Sequence, residues 1–265
     1  MIVIGEKINA TRKSIAAALE ARDGQAIVRV AREQVQAGAH YLDLNGGDPR
    51  PGREAENLAW LAQTVQGALD VPLCIDSADA GAARGALALA SRKAILNSIS
   101  LETDRQGPLM PVLAEFDCKV IGLLMSDQGA PVGVDDRLRN AEKLIERFAA
   151  AGRKMDDIII DPCFLTLATD AASGRAVIDA IAAIHKAWPE VHIGGGCSNV
   201  SFGLPKRRHI NFALLAQAIY HGMDVGLIDP CTPGILAAVY AAEAVAGRDD
   251  FCMNYVTAER EGKLT

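Results

Sequence analysis

Several apolar runs in this chain end on an amide or a carboxylate. LCID stops at Asp76, ILN at Asn97, IIID at Asp161 and VHIGGGCSN at Asn199. Carboxylates accept hydrogen bonds, and side-chain amides both accept and donate. Polar tips on separate strands predict one site assembled from distant parts of the chain. Around an apolar, glycine-floored pocket, such groups suit a neutral heterocycle with several N–H donors and ring acceptors. Two carboxylates can accept from an amino-amidine edge while the asparagines satisfy donors and acceptors alike.

Other chemistries find less support. The five histidines, His40, His185, His192, His209 and His221, fall on helices or at strand starts, without ligand spacing. No metal is expected, because no Cys/His grouping fits a zinc site. No Ser–His–Asp or Cys–His motif is present, so Cys163, Cys197 and Cys231 read as small pocket or core residues. No P-loop and no GxGxxG occurs. The run Lys206, Arg207, Arg208 reads as a solvated face or a loop anchor, or as a contact for an acidic tail on a substrate or partner.

The elements that position these tips follow from periodicity. Strands are expected at residues 1–8, 41–44, 72–76, 94–98, 120–125, 158–161, 191–194 and 225–228. Helices are expected at 25–37, 54–69, 78–90, 108–116, 135–151, 174–188, 210–220 and 234–244. In residues 135–151 the apolar positions Leu138, Ala141, Leu144, Ile145 and Phe148 recur at helical spacing. Eight strands alternating with eight helices predict an α/β fold, the TIM (β/α)8 barrel, in one domain over residues 1–265. A polar tail begins near residue 251. It is expected to be loose or to pack on a neighbour.

In such a barrel ligands sit at the C-terminal strand ends. Glu6, Asn9, Asn45, Asp76, Asn97, Met125, Asp161, Asn199 and Asp229 all fall there. Each Asp or Asn alone also suits a helix cap or a turn. Three of them, Asp76, Asn97 and Asp161, directly abut apolar strand residues and should project over the mouth.

The chain has 265 residues, 50% of them hydrophobic, and a net charge of -6. That balance provides no electrostatic case for nucleic acid or an anionic membrane. No apolar run reaches a membrane span of about 20 residues. The expectation is a soluble, cytoplasmic enzyme with its 6 cysteines reduced.

In order along nearly the whole chain, GEKIN, LDLNGG, CIDS, LNS, GLLM, IDP and CSNVSFGLP resemble the pterin-binding methyltransferase family. Within it, the chain looks like the methyltetrahydrofolate:corrinoid protein methyltransferases. It is also similar to the folate-binding barrel of cobalamin-dependent methionine synthase. The resemblance implies that Asp76, Asn97 and Asp161 bind the pyrimidine edge of a folate and that Asn199 approaches N5. It extends the pterin contacts to Gly196, Ser198, Met125, Ser126 and Arg208. Tetrahydrofolate or 5-methyltetrahydrofolate would be substrate. A corrinoid on a separate protein, docked over the C-terminal face, would be the methyl partner, in a direction the residues leave open. A homodimer is implied as well.

Ser126 departs from the family pattern, which often has asparagine after the fifth-strand methionine. Two alternatives remain: dihydropteroate synthase, or a non-catalytic folate-binding component of a corrinoid system. Against the former, INATRKS replaces the expected first loop, and the late lysine site carries CSNVSFG.

Overall fold

The computed structural model of the chain describes residues 1–264. Eight parallel strands close into a barrel in sequence order. They are β1 (Ile2–Asn9), β2 (Tyr41–Asn45), β3 (Leu73–Asp76), β4 (Ile95–Leu101), β5 (Lys119–Ser126), β6 (Ile158–Asp161), β7 (His192–Gly195) and β8 (Val225–Ile228). Closure comes from β1 against β8, with Ile2 opposite Val225 and Gly5 opposite Ile228. The fold is the α/β TIM barrel that the strand pattern predicts.

Strand alternation decides what faces inward. Ile4, Cys74, Ile95, Ile121, Ile159 and Val225 form a buried cluster inside the barrel, with Ile2, Tyr41 and Leu227 packed against it. The alternate residues, among them Leu42, Leu73, Leu96, Val120 and Ile160, pack outward in the larger cluster shared with the helices. Two residues beyond the inner layer, the same faces carry Glu6, Asp76, Asn97, Leu123 and Asp161, while Asp43 stands level with Cys74 one layer below. Apolar floor and polar mouth therefore arise from one period of two.

Among the described residues ten α-helices surround the strands, two more than the periodicity predicts. The extra ones are α1 (Lys13–Ala21) and α10 (Met253–Arg260). Helix α1 has no side-chain N-cap and ends on Arg22 in the left-handed region rather than on glycine, so both usual boundary signals are missing. Helix α10 gives a regular element to the segment expected to be loose or to pack on a neighbour. The buried Asp249 carboxylate accepts from the backbone N–H of Asn254 at 2.8 Å and of Tyr255 at 2.9 Å, which starts the helix.

The remaining helices are α2 (Gly24–Ala37), α3 (Arg53–Gln66), α4 (Ala80–Ala88), α5 (Thr103–Glu115), α6 (Gly133–Ala150), α7 (Ser173–Ala187), α8 (Arg207–Tyr220) and α9 (Ile235–Val245). Helix α5 begins five residues before the predicted Pro108, because the Asp127 carboxylate accepts from Thr103 N–H at 2.9 Å and its hydroxyl at 2.6 Å. On α6 the buried stripe is Arg137, Ala141, Leu144, Ile145 and Phe148, with Leu138 only half-buried. No helix among the described residues is long and apolar enough to cross a membrane.

Candidate active site

At the mouth, β2, β3 and β4 bring four polar side chains into two neighbouring hydrogen-bonded pairs. Asn45 Nδ2 donates to Asp76 Oδ2 at 2.9 Å, and Asn97 Nδ2 donates to Asp43 Oδ1 at 3.1 Å. Register makes this possible, since Asp76 stands opposite Asn97 and Asp43 opposite Cys74. Burial raises the pKa of Asp76, opposed by the Asn45 hydrogen bond. Asp43 is pushed well above the ordinary carboxylate range by burial and by the neighbouring Asp76 charge, and the Asn97 hydrogen bond only partly offsets this.

Asp161 approaches from β6. Its Oδ1 accepts from Cys163 N–H at 2.9 Å and its Oδ2 lies 3.4 Å from Gly196 N. Burial raises its pKa to about 6 against the pull of those two N–H groups and of Arg137. The Arg137 guanidinium, 1% exposed, donates to the carbonyls of Pro162 at 2.6 Å, Cys163 at 3.1 Å and Gly133 at 2.8 Å. A buried cation thus clamps the turn whose Cys163 N–H orients Asp161.

The glycine run has a steric reason at its first two positions. A Cβ on Gly194 would lie 1.8 Å from Val225 O, and one on Gly195 would lie 1.9 Å from Asp161 Oδ2. On Gly196 it would come within 3.1 Å of Asn199 Nδ2. None of the three has positive φ, so close approach rather than backbone freedom requires Gly194 and Gly195, whereas the exposed Asn199 amide can give way at Gly196. The chain then makes a 3-10 turn, Cys197–Ser201, that carries Asn199. Asn199 is exposed, and its side-chain amide has no hydrogen-bond partner among the described residues.

Arg207 holds this turn. Its Nε donates to Ser201 Oγ at 3.0 Å and its Nη2 to Ser198 O at 2.6 Å. Within the basic run, the loop-anchor role therefore belongs to Arg207. Its neighbour Arg208 lines a cavity of about 250 Å³ together with Glu6, Arg12, Ser198, Asn211 and Asp229. That cavity lies on the β1, β7 and β8 side, and Asp76, Asn97 and Asp161 do not line it. Glu6 has its pKa raised to about 7, chiefly by burial, opposed by Arg12 and helped by Asp229.

Several expected mouth residues are engaged in turns. Asn9 Oδ1 accepts from Thr11 N–H at 3.0 Å and its hydroxyl at 2.7 Å, and Asp229 Oδ1 accepts from Cys231 N–H at 3.0 Å. Ser126 Oγ lies 3.3 Å from Gln128 N as an acceptor, within a turn that Ser126 and Gly129 close. Met125, on the inward face of β5, places its sulfur 3.5 Å from Cys163 Sγ. Burial pushes the Cys163 thiol up to about 11 and Cys197 higher still, so neither is poised as a thiolate nucleophile. His192 lies at the opposite end of the barrel, where its Nδ1 is 2.6 Å from Asp224 Oδ2.

Sequence reading missed Asp43 and Arg137, and it left open which residue of the basic run anchors a loop. Asp43 precedes Asn45 by two and shares its face, a signal that strand tips alone overlook. Arg137 sits four before Ala141 on the buried stripe of α6, and a charge on that stripe was the clue.

The chain is thus a closed parallel barrel with amide and carboxylate side chains gathered at its C-terminal end. Residues 5–229 match the pterin binding enzyme family, and the chain belongs to that family. Methylcorrinoid:tetrahydrofolate methyltransferase of Eubacterium limosum is 32% identical over 266 residues, covering 100% of this chain and 98% of that protein. Methionine synthase of Mycobacterium leprae is 30% identical over 242 residues, covering 86% of this chain but 20% of that much longer protein. Among solved structures, a dihydropteroate synthase from Coxiella burnetii in complex with pteroic acid superposes with a TM-score of 0.73 at 17% identity, over 94% of each chain. The dihydropteroate synthase of Vibrio fischeri ES114 gives 0.71 at 18% identity over 93% of each chain. These two likenesses are of fold.

Proposed function

We propose that this protein transfers a methyl group between N5 of 5-methyltetrahydrofolate and the cobalt of a corrinoid carried on a separate protein. The observation that carries the reading is the mouth itself. Half-buried acceptors from β3, β4 and β6 share the C-terminal end of the barrel with an exposed, unengaged amide on Asn199. The full-length similarity to a methylcorrinoid:tetrahydrofolate methyltransferase supports it.

Asp76, Asn97 and Asp161 would accept from the N–H groups of the pyrimidine edge, and the apolar layer below would support the ring. Met125, Gly196, Ser198, Ser126 and Arg208 are further proposed pterin contacts, and Glu6, Asn9, Asn45 and Asp229 shape the mouth. Ser126 and Asn9 already serve turns, so they would act by holding loops.

The difficulty of the reaction lies at N5. A methyl group on a neutral amine leaves badly, because the departing nitrogen would carry the electron pair as an amide anion. As the C–N bond breaks, the corrinoid cobalt supplies the pair for the new Co–C bond and N5 must gain a proton. A donor placed at N5 stabilises that developing charge. Asn199 can supply such a hydrogen bond, but its amide has no acidity to provide the proton. Transfer in the other direction passes through the same arrangement, with N5 of tetrahydrofolate losing its proton to the surroundings as it takes the methyl.

Because Asn199 is exposed at the mouth, the corrinoid protein would dock over the C-terminal face. Asn199→Ala tests the assignment. Transfer should fall by about 100-fold, as for loss of one preorganised donor, while the dissociation constant for 5-methyltetrahydrofolate stays within about threefold. Unchanged transfer would remove Asn199 from the chemistry.

A further inference from the structure

Asp43 is 2% exposed and lies on β2 one layer below the strand tips. No cation of the described residues pairs with it, and its strongest side-chain partner is Asn97, whose Nδ2 donates to Asp43 Oδ1 at 3.1 Å. A buried carboxyl of this kind is costly to keep. It sits beside a second carboxyl, Asp76, which raises that cost further.

An amide has a donor end and an acceptor end, and only its partners decide which way it points. With its nitrogen held by Asp43, Asn97 turns its oxygen the other way, and no described group donates to that oxygen. Without the inner acceptor the amide could reverse. A donor would then stand between the two carboxylates Asp76 and Asp161, opposite a ligand edge that itself consists of donors.

We propose that Asp43 is a positioning residue that holds the Asn97 amide by its nitrogen, so that Asp76, Asn97 and Asp161 all present oxygen to the ligand. The inference rests on the pterin-binding part of the reading above. It adds a specificity rule: the mouth accepts a ligand edge of N–H groups and rejects an analogue that offers ring acceptors in their place.

The test is a double-mutant cycle with 5-methyltetrahydrofolate titrated into the full-length chain, comparing wild type, Asp43→Leu, Asn97→Ala and the double variant. Losing a correctly oriented acceptor costs about tenfold in affinity, so Asp43→Leu and Asn97→Ala should each weaken binding by about that factor. In the Asn97→Ala background, Asp43→Leu should change affinity by less than about threefold. Asp43→Asn, whose side-chain oxygen can take the same bond, should rescue binding to within about threefold of wild type. Thermal melts check that each variant is folded, and Asp43→Ala replaces the leucine variant if that one is not.

Equal weakening in both backgrounds would overturn the positioning role, because a purely structural Asp43 would act without Asn97. Wild-type affinity in Asp43→Leu would overturn it too. Absence of binding by wild type would overturn the pterin reading itself, a result distinct from independent effects in a chain that binds.

Discussion

Asp161 shows what burial does to a binding carboxylate. Without ligand it holds its proton up to about pH 6, because two backbone N–H groups and Arg137 only partly offset desolvation. A ligand that donates N–H groups needs the ionised form. Below that value binding must therefore expel a proton, and above it the proton is already gone. Affinity for 5-methyltetrahydrofolate should be level from pH 7 to 8 and fall by up to about tenfold per unit below pH 6. Titrations across pH 5 to 8 check this, and Asp161→Asn should bind more weakly and lose the acid limb that Asp161 contributes. A wild-type profile flat down to pH 5 would show that Asp161 does not meet the ligand as a carboxylate. The tips Asp76, Asn97 and Asp161 were legible because each ends an apolar run. Asp43 was not, because it interrupts LDLN from within and resembles an ordinary strand position. The competition between turn and ligand at Asn9 and Asp229 was also beyond sequence, since either role uses the same residue type.

At the scale of the element, the segment from β7 into the 3-10 turn is built by exclusion. Gly195 exists where Asp161 needs room, and Arg207 ties the turn that carries Asn199. Gly195→Ala would push a Cβ to 1.9 Å from Asp161 Oδ2, and a short buried side chain cannot swing clear. The variant should lose about 1–3 kcal/mol of stability by overpacking, measured by urea unfolding, and should bind 5-methyltetrahydrofolate more weakly. Unaltered stability and affinity would mean that Asp161 has another place to go. The glycines signalled close approach in the sequence, yet what approached them depended on β6 and β8, more than twenty residues away in each direction. Helices with an apolar stripe or a capping residue were visible in the same way. Asp23 and Asp79 cap α2 and α4 by accepting from Ala26 N–H at 3.0 Å and Ala82 N–H at 2.7 Å. Helix α1 lacks such a residue and stayed hidden.

For the whole molecule, eight strand patterns of period two determined the barrel, and closure followed from their number and order. Assembly was less visible, since helix faces that meet solvent and faces that meet a second copy share small and apolar residues. The structure leaves Phe251 at 96%, Val245 at 83% and Met253 at 58% exposed around the α9–α10 junction. A contiguous exposed apolar patch is a usual mark of an interface, and the homodimer that the family resemblance implies would use this region. Sedimentation should give a dimer for the wild type and a monomer for Phe251→Asp, whereas a monomeric wild type would dismiss it.

The central claim is the reaction, and one spectroscopic measurement addresses it most directly. Purified chain is mixed with 5-methyltetrahydrofolate and photoreduced free cobalamin, and in a second cuvette with tetrahydrofolate and methylcobalamin. The account predicts that Co(I) absorbance is lost as methyl-Co(III) forms in the first, or the reverse in the second, at a rate proportional to the protein added. No spectral change in either cuvette above the protein-free control, and none when a corrinoid protein replaces free cobalamin, from a chain that binds 5-methyltetrahydrofolate, would contradict methyl transfer and leave a pterin-binding barrel without that chemistry.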